Sequence, residues 1–299
     1  MADCVQHYSE FCGTLLCNEP MSCHTSLKVG GPADLYAIPV DLDDLLVLVK
    51  QLDQAGHPHM VIGGGYNLLV RDGGIRGAVI SLERLNRVEL LDCGVIKAWA
   101  GAENLQVVRF AQKQGLGGIG FISGIPGTIG GAVRMNAGAY GSGLLDRMTS
   151  MTFLRYGQVV ELSREQISYG YRHLELQPGD SILAVTLHLE PVDASVTEEE
   201  IRRDLELRRT KHNVGYPSAG SFFKNPPDQA AWKLIDAAGM RGFQVGGAQM
   251  AEQHSNFMIN RGSATAADCL ALAARVKQAV LAATGVALEE EVRIVGEEP

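Results

Sequence analysis

Three consecutive glycines, Gly63, Gly64 and Gly65, follow a short apolar run and lead into Tyr66-Asn67-Leu68-Leu69-Val70. Backbone without Cβ atoms folds tightly and can turn successive N–H groups outward, and such a nest of amides binds phosphate oxygens. Asn67 adds an amide donor. A second small-residue stretch runs Ile122-Ser123-Gly124-Ile125-Pro126-Gly127-Thr128-Ile129-Gly130-Gly131-Ala132-Val133. Pro126 fixes one turn and Thr128 offers a hydroxyl. Gly130 and Gly131 remove bulk where a flat ring or a diphosphate passes, and Asn136-Ala137-Gly138 extends the same wall. The competing reading is that these glycines only shape turns; two dense loops about 60 residues apart weigh against it.

Between the two loops, Gly115-Leu116-Gly117-Gly118-Ile119-Gly120 matches G-x-G-x-x-G. That fingerprint binds a dinucleotide only after a strand and at the start of a helix. Here it follows a helical pattern and runs toward Pro126, so the doubly wound reading is rejected. No G-x-x-x-x-G-K-[ST] is present either. Four of the six cysteines, Cys4, Cys12, Cys17 and Cys23, fall near the N-terminus, but no pair forms C-x-x-C and no spacing fits a common zinc pattern. Together with Cys93 and Cys269 they are expected to be free thiols, and no metal is expected. The eight histidines show no H-E-x-x-H, and His254 is expected to be structural.

The elements that must carry these loops follow from periodicity. Leu35–Ile38 predicts a short strand. Asp41 caps a helix with apolar residues at Leu42, Leu45, Leu46, Val49 and Leu52, closed by Gly56. Met60–Ile62 is a second strand opening onto the triple glycine. Ala78–Leu82 is a strand, and Val88–Leu91 with Val95–Ala100 form a hairpin turning at Cys93-Gly94. Asn104 is expected to cap a helix over Leu105–Gln114 that stops at Gly115. Met151–Leu162 predicts a hairpin turning at Tyr156-Gly157. Leu183, Val185, Leu187 and Leu189 alternate along one strand face. Thr197 and Glu200 form a capping-box signature for a helix to about Lys211. Helices over Asp228–Ala238 and Thr265–Ala283 (stopped by Gly285), and strands over Asn256–Asn260 and Val292–Val295, complete the chain. Residues 1–24 are expected to be an irregular or helical lead-in, with a boundary near 191–196.

The chain has 299 residues, 46% apolar and 20% charged, enough to bury substantial cores. A soft prior of ~150 residues per domain suggests about two domains. The net charge of −8 argues against a nucleic-acid surface without excluding a local basic pocket for an anion. No apolar run reaches the ~18 residues a membrane span requires. Met1–Glu10 lacks the basic and apolar regions of a signal peptide, so a cytoplasmic location is expected.

Beyond the two glycine loops, Thr25-Ser26-Leu27-Lys28-Val29-Gly30-Gly31-Pro32-Ala33, the pair Tyr171-Arg172, the segment Ser218-Ala219-Gly220-Ser221-Phe222-Phe223-Lys224-Asn225-Pro226 and the late Glu291-Val292 stand in a fixed order. Together with GGGYNLLV and GIPGTIGGAVRMNAGAYG they resemble the UDP-N-acetylenolpyruvoylglucosamine reductases, from about residue 20 to residue 296. The short segment between Tyr171 and Ser221 resembles the compact second subtype. The resemblance implies an α+β fold: an FAD-binding domain of the vanillyl-alcohol-oxidase type with two α+β subdomains, and a C-terminal α+β substrate domain. In this chain that means a lead-in over 1–24, the FAD-binding domain over 25–193 split near 82, and the substrate domain over 194–299. It implies FAD and NADPH as cofactors and reduction of the enolpyruvyl double bond of UDP-N-acetylglucosamine enolpyruvate to UDP-N-acetylmuramate, in peptidoglycan precursor synthesis. The partners are then NADPH and a sugar-nucleotide substrate, and the protein a monomer with no nucleic-acid partner and no membrane insertion.

The same resemblance assigns residues. Gly63, Gly64, Gly65, Tyr66, Asn67, Leu68, Ser123, Pro126, Gly127, Thr128, Gly130, Gly131, Asn136 and Ala137 are expected to hold the cofactor. Arg172, Ser221 and Glu291 are expected to be catalytic, and Tyr171, Lys224 and Asn225 to bind substrate. Two positions depart from the family pattern: Tyr66 stands where a serine is usual, and Glu290 where a proline often precedes the catalytic glutamate. Glu289, Glu290 and Glu291 leave that glutamate ambiguous by one position, with the spacing to Val292 favouring Glu291. Two other readings stay open. One is another oxidoreductase on the same flavin fold with covalently attached FAD, against which the Ser218–Pro226 segment argues. The other is a non-catalytic flavin or nucleotide module, against which the three polar motifs after the glycine loops argue.

Overall fold

The structure, a computed structural model, describes residues 8–139 and 142–299. Cys4 lies outside them. The chain opens with strands β1 (Thr14–Pro20) and β2 (Pro32–Ile38), helix α1 (Leu42–Gln54) and strand β3 (His59–Ile62). Strands β4 (Leu68–Val70), β5 (Ile75–Ser81), β6 (Val88–Asp92) and β7 (Val95–Trp99) follow, then helices α2 (Asn104–Lys113) and α3 (Ile129–Arg134). Next come β8 (Met148–Arg155), β9 (Gln158–Ser163), β10 (Ser181–His188) and helix α4 (Ala194–Leu207), which runs into a π-helical turn at Arg208–His212. The last third holds β11 (Ser218–Ser221), α5 (Ala231–Ala237), β12 (Gln244–Val245), β13 (Ala248–Met250), β14 (Phe257–Asn260), α6 (Ala266–Thr284) and β15 (Arg293–Val295).

These elements form two compact units, neither of them continuous in sequence. The first takes residues up to Leu16, Tyr36–Gly64 and Ala78–Leu207; the second takes Cys17–Leu35, Gly65–Gly77 and Arg208–Pro299.

In the first unit a five-stranded sheet, order β9-β8-β10-β7-β6, is antiparallel throughout. Its central strand, β10, was expected to bury one face. Instead Ile182, Ala184 and Thr186 are buried as well as Leu183, Val185 and Leu187, the pattern of a strand covered on both sides. Helix α3 packs on β10. Phe153, Ile96, Val107, Ile122 and Ile129 lie in one continuous core. Helix α1 starts where the sequence predicts, because the Asp41 carboxylate accepts from Asp44 N–H at 2.9 Å. Strand β3 runs parallel to the second half of β5, His59 opposite Ala78 through Ile62 opposite Ser81, and delivers the chain to Gly63.

The rejected G-x-G-x-x-G run has a packing purpose. A methyl on Gly117 would strike Val192, and one on Gly120 would strike the carboxyl of Glu200 on α4. Those glycines let Val192 and helix α4 approach, not a phosphate.

The second unit holds an antiparallel sheet, order β11-β14-β13-β12. Helices α5 and α6 pack together over a core of Phe222, Phe223, Leu234, Met250, Leu272 and Val276. Leu27, Val29 and Leu69, distant in sequence, belong to this same core. Strand β15 pairs in parallel with β4, Arg293 opposite Leu68. Asn260 Nδ2 donates to the carbonyls of Leu27 and Lys28, and the Asp72 carboxylate accepts from Ala266 and Ala267 N–H at the start of α6, both at 2.8 Å.

Three local expectations are corrected. Thr14–Pro20 is a strand, not an irregular or helical lead-in; it is half-buried along most of its length, and its sequence lacks the alternation that marks strands. Helix α4 begins three residues before Thr197, because Asp193 accepts from Ser195 N–H and hydroxyl and starts the turn itself; Thr197 is therefore a buried residue of the first turn rather than a cap. Asn104 is the first residue of α2, and Glu103 precedes it without a side-chain cap. The thiols of Cys12, Cys17, Cys23, Cys93 and Cys269 are free, and burial pushes that of Cys269 up to about 12.

Candidate functional site

In the first unit β3 ends at Ile62 and hands the backbone to Gly63 and Gly64. A methyl on Gly63 would lie 2.5 Å from Thr128 Oγ1, so only glycine lets this turn approach the second loop. Thr128 precedes α3 in extended conformation, and Gly127 beside it holds φ +134°, open to glycine alone. A methyl on Gly131 would stand 3.8 Å from Thr128 Oγ1, with room to spare, whereas one on Gly130 would press into Ala100. Gly131 thus faces Thr128, and Gly130 lets α3 sit down on the sheet.

The hydroxyls of Ser123 and Thr128 are buried, and neither has a hydrogen-bond partner among the described residues. An unsatisfied buried hydroxyl costs about 1–3 kcal/mol, a cost removed when a ligand oxygen or amide meets it. Two orphaned hydroxyls beside bare glycine backbone are what a flavin dinucleotide's polar groups and flat ring need, so these residues fit FAD.

Asn104 was foreseen only as a helix cap, and the structure gives it a further part. Its main-chain N–H donates to Gly127 O and its Nδ2 to Ile125 O, each at 3.0 Å. The turn around Pro126 is thereby clipped to the start of α2. The partners lie some twenty residues downstream, so local sequence carried no signal for it.

Asn136 and Arg172 both hold left-handed backbone, φ 39° and 52°. Such non-glycine strain persists only where surroundings enforce it. Here Asn136 Nδ2 donates to Gly170 O at 2.9 Å, Asn136 Oδ1 accepts from Leu145 N–H at 3.2 Å, and the Arg172 guanidinium reaches Gly138 O at 3.2 Å. The guanidinium also lies over the Tyr171 ring, 5.5 Å from its centroid, and Tyr171 is exposed. Ala137 is buried between these contacts. The small-residue wall and Arg172 are one bonded assembly.

In the second unit Gly65 holds φ +65°, and a methyl there would strike the carbonyl of His24. Tyr66 is exposed, and its carbonyl accepts from the Ser26 hydroxyl; Leu68 is buried. Burial lowers the Arg208 guanidinium below its ordinary value, while neighbouring Tyr66 works the other way.

Ser221 ends β11 after Gly220, which holds φ +77°. The next two residues anchor it: Phe222 and Phe223 are fully buried and pack edge to face with centroids 5.1 Å apart. Asn256, also missed in the sequence, clamps them: its carbonyl accepts from Phe222 N–H at 2.7 Å, and its side chain bonds both the N–H and the C=O of Phe223. Asn225 Oδ1 accepts from Ala231 N–H and thus starts α5.

The segment Glu289–Val292 lies along Phe222–Lys224. Lys224 N–H donates to Glu289 O and Glu291 N–H to Phe222 O, at 2.9 and 2.8 Å. The three acids now separate. Glu289 pairs with Lys224, and Glu290 with Lys277 at 3.0 Å. Glu291 is the one whose main chain is bonded to the Ser221–Phe222 side and, through its carbonyl, to Asn67 Nδ2 at 3.1 Å.

Comparison with known proteins agrees with this geometry. Residues 33–163 match the model of an FAD binding domain, and residues 212–295 match UDP-N-acetylenolpyruvoylglucosamine reductase, C-terminal domain. The fold and the cradle define a flavin-dependent oxidoreductase, α+β in class, with an FAD-binding domain of the vanillyl-alcohol-oxidase type and a C-terminal α+β domain. UDP-N-acetylenolpyruvoylglucosamine reductase of Pelobacter propionicus is 67% identical over 286 residues, covering 96% of this chain and 97% of that protein. The protein of the same name from Geobacter metallireducens is 53% identical over 97% of both chains. The crystal structure of the enzyme from Thermus caldophilus superposes with a TM-score of 0.79 at 30% identity, covering 96% of this chain and 99% of that one. The chain belongs to the UDP-N-acetylenolpyruvoylglucosamine reductase family.

Proposed function

We propose that this protein reduces the enolpyruvyl double bond of UDP-N-acetylglucosamine enolpyruvate to UDP-N-acetylmuramate, taking its electrons from NADPH, as a step of peptidoglycan precursor synthesis. The observation that carries the reading is the pair of buried, partnerless hydroxyls, Ser123 and Thr128, beside glycine backbone in a chain of this family. The main chain of Gly63–Leu68 and of Pro126–Thr128, the hydroxyls of Ser123 and Thr128, and Gly130, Gly131, Asn136 and Ala137 would hold the cofactor. When bound, FAD supplies the hydride that adds to C3 of the substrate's vinyl ether.

Hydride addition at C3 drives negative charge onto the substrate carboxylate. Arg172 stabilises that charge more in the transition state than before it, because the charge is only then developing. Its planar fork suits a carboxylate. The Ser221 hydroxyl donates the proton to C2, and the Glu291 carboxyl polarises that donor. Tyr171, Lys224 and Asn225 bind the sugar nucleotide. The functional division is an FAD-binding domain over 25–193 and a substrate domain over 194–299, as in the compact second subtype; the compact units cut across it, since Cys17–Leu35 and Gly65–Gly77 pack with the last stretch from Arg208 and α4 packs with the first unit. The enzyme works as a cytoplasmic monomer. Among the described residues no helix is long and apolar enough to cross a membrane.

The test is spectroscopic. NADPH bleaches the yellow FAD-loaded protein under anaerobic conditions, and the enolpyruvyl nucleotide restores the colour. Colour that never returns would leave a flavin carrier and not this reductase. Ser221→Ala keeps bound FAD and its bleaching by NADPH, while recolouring slows by ~10²-fold or more, the usual worth of a positioned acid. Recolouring of this variant at the wild-type rate removes Ser221 from its role.

A further inference from the structure

Asn67 closes a two-point clamp. Its Nδ2 donates to the main-chain carbonyl of Glu291 at 3.1 Å, and its own carbonyl accepts from Arg293 N–H at 3.1 Å. Immediately beyond it β4 and β15 pair in parallel register, with Leu69 and Val70 fully buried, so the clamp sits at the head of a fixed ladder. On the other side of Glu291, its N–H donates to Phe222 O, one residue from Ser221. The two peptide groups flanking the Glu291 side chain are therefore held by different segments: one by the serine strand, the other by the glycine-loop asparagine. Of the neighbouring acids, Glu289 pairs with Lys224 and Glu290 with Lys277.

We propose that Asn67 is a positioning residue for Glu291, tying the loop that holds the cofactor to the peptide that aims the carboxyl. The inference rests on the role given to Glu291 above. One of the two Nδ2 hydrogens of Asn67 is given to the Glu291 carbonyl, and the other, with Oδ1, remains for the cofactor side of the loop. A carboxyl shifted by about an ångström loses on the order of 10²-fold in rate. Asn67→Asp keeps the shape but presents an acceptor-only carboxylate to the Glu291 carbonyl, and Asn67→Ala removes the donor without adding charge.

The experiment follows both half-reactions in FAD-loaded protein by rapid mixing: bleaching by NADPH, and reoxidation by UDP-N-acetylglucosamine enolpyruvate after stoichiometric reduction with dithionite. In both variants reoxidation is expected to slow ~30-fold or more beyond any change in bleaching. Its pH profile should lose the same limb that Glu291→Gln removes. Reoxidation at the wild-type rate overturns the proposal. So does a fall in FAD affinity, bleaching and reoxidation by one common factor, which marks a plain flavin contact. Glu291→Gln, run in parallel, separates the two claims. If it reoxidises normally, the reading of Glu291 fails and the clamp with it. If it is slow while both Asn67 variants are normal, only the clamp fails. Should Asn67→Asp not fold, Asn67→Ser carries the same measurements.

Discussion

A hydroxyl buried without a partner is a liability in the free protein and an asset once a ligand arrives. Thr128 carries both signs: its Oγ1 is shielded from solvent, lacks a partner among the described residues, and crowds the position a side chain at Gly63 would need. Replacing it with the near-isosteric valine separates the two. Thr128→Val is expected to raise the stability of the FAD-free protein by about 1 kcal/mol, since an unsatisfied polar group is removed, and to weaken FAD by ~10-fold, since the ligand loses a hydrogen bond. Melting of FAD-free protein and a flavin-fluorescence titration read both. An unchanged affinity would show that Thr128 only shapes the turn. At this scale the sequence was informative where residue type alone restricts the backbone: Gly63, Gly127 and the serine and threonine beside them stood out. It was silent on Asn104 and Asn256, whose work is defined by carbonyls some twenty to thirty residues away, Ile125 and Gly127 for the first and Phe223 for the second. An asparagine that braces a distant loop resembles one that caps a helix until its partners are placed.

Elements were legible where a local code sets them and obscure where a neighbour does. Helix α6 begins with a reciprocal box: Asp268 N–H donates to Thr265 Oγ1 at 3.0 Å, and the Asp268 carboxylate accepts from Thr265 N–H at 3.1 Å. It ends at Gly285 in left-handed conformation, as the sequence predicts. Helix α4 has a similar Thr197–Glu200 signature, yet Asp193 starts that helix earlier and Thr197 is buried. Both signatures set an acid three residues after a threonine, Asp268 after Thr265 and Glu200 after Thr197; the preceding residue decides. The Asp268 box also has a pH signature. N–H donation from Gly247, with a further bond from Thr265, holds the Asp268 carboxyl below the usual range. A depressed carboxyl stabilises the fold above its unfolded pKa of ~3.9, and that contribution disappears as pH falls through the folded value. Thr265→Ala is expected to cost about 1 kcal/mol at neutral pH. Asp268→Asn is expected to lower the melting temperature at pH 7 and to converge with wild type in acid. Parallel melting curves at every pH would rule the carboxylate out as the cause.

At the scale of the whole chain, the second unit is assembled from three stretches that the sequence order does not suggest. Its core includes Leu27, Val29 and Leu69. Its parallel ladder needs β4 opposite β15. The start of α6 needs the Asp72 carboxylate, and Asn260 needs the carbonyls of Leu27 and Lys28. Composition and charge break at none of these joins, so nothing in a linear reading marks Cys17–Leu35 or Gly65–Gly77 as partners of the last ninety or so residues. Segments that supply a helix start, a strand and three core side chains cannot be removed without exposing apolar surface and orphaned amides together. Burying a leucine or valine side chain contributes roughly 1.5–3 kcal/mol, and total stabilities run only to about 5–15 kcal/mol. A fragment of residues 208–299 alone therefore lacks several such contributions at once. It is expected to show helical circular dichroism without a cooperative melt and to bind a hydrophobic dye, even though the C-terminal family model matches residues 212–295 on their own. Adding residues 17–77 ahead of it, through a flexible linker, is expected to restore a cooperative transition. A sharp melt in the short fragment would mean that the inserted segments decorate a self-sufficient core instead of completing it.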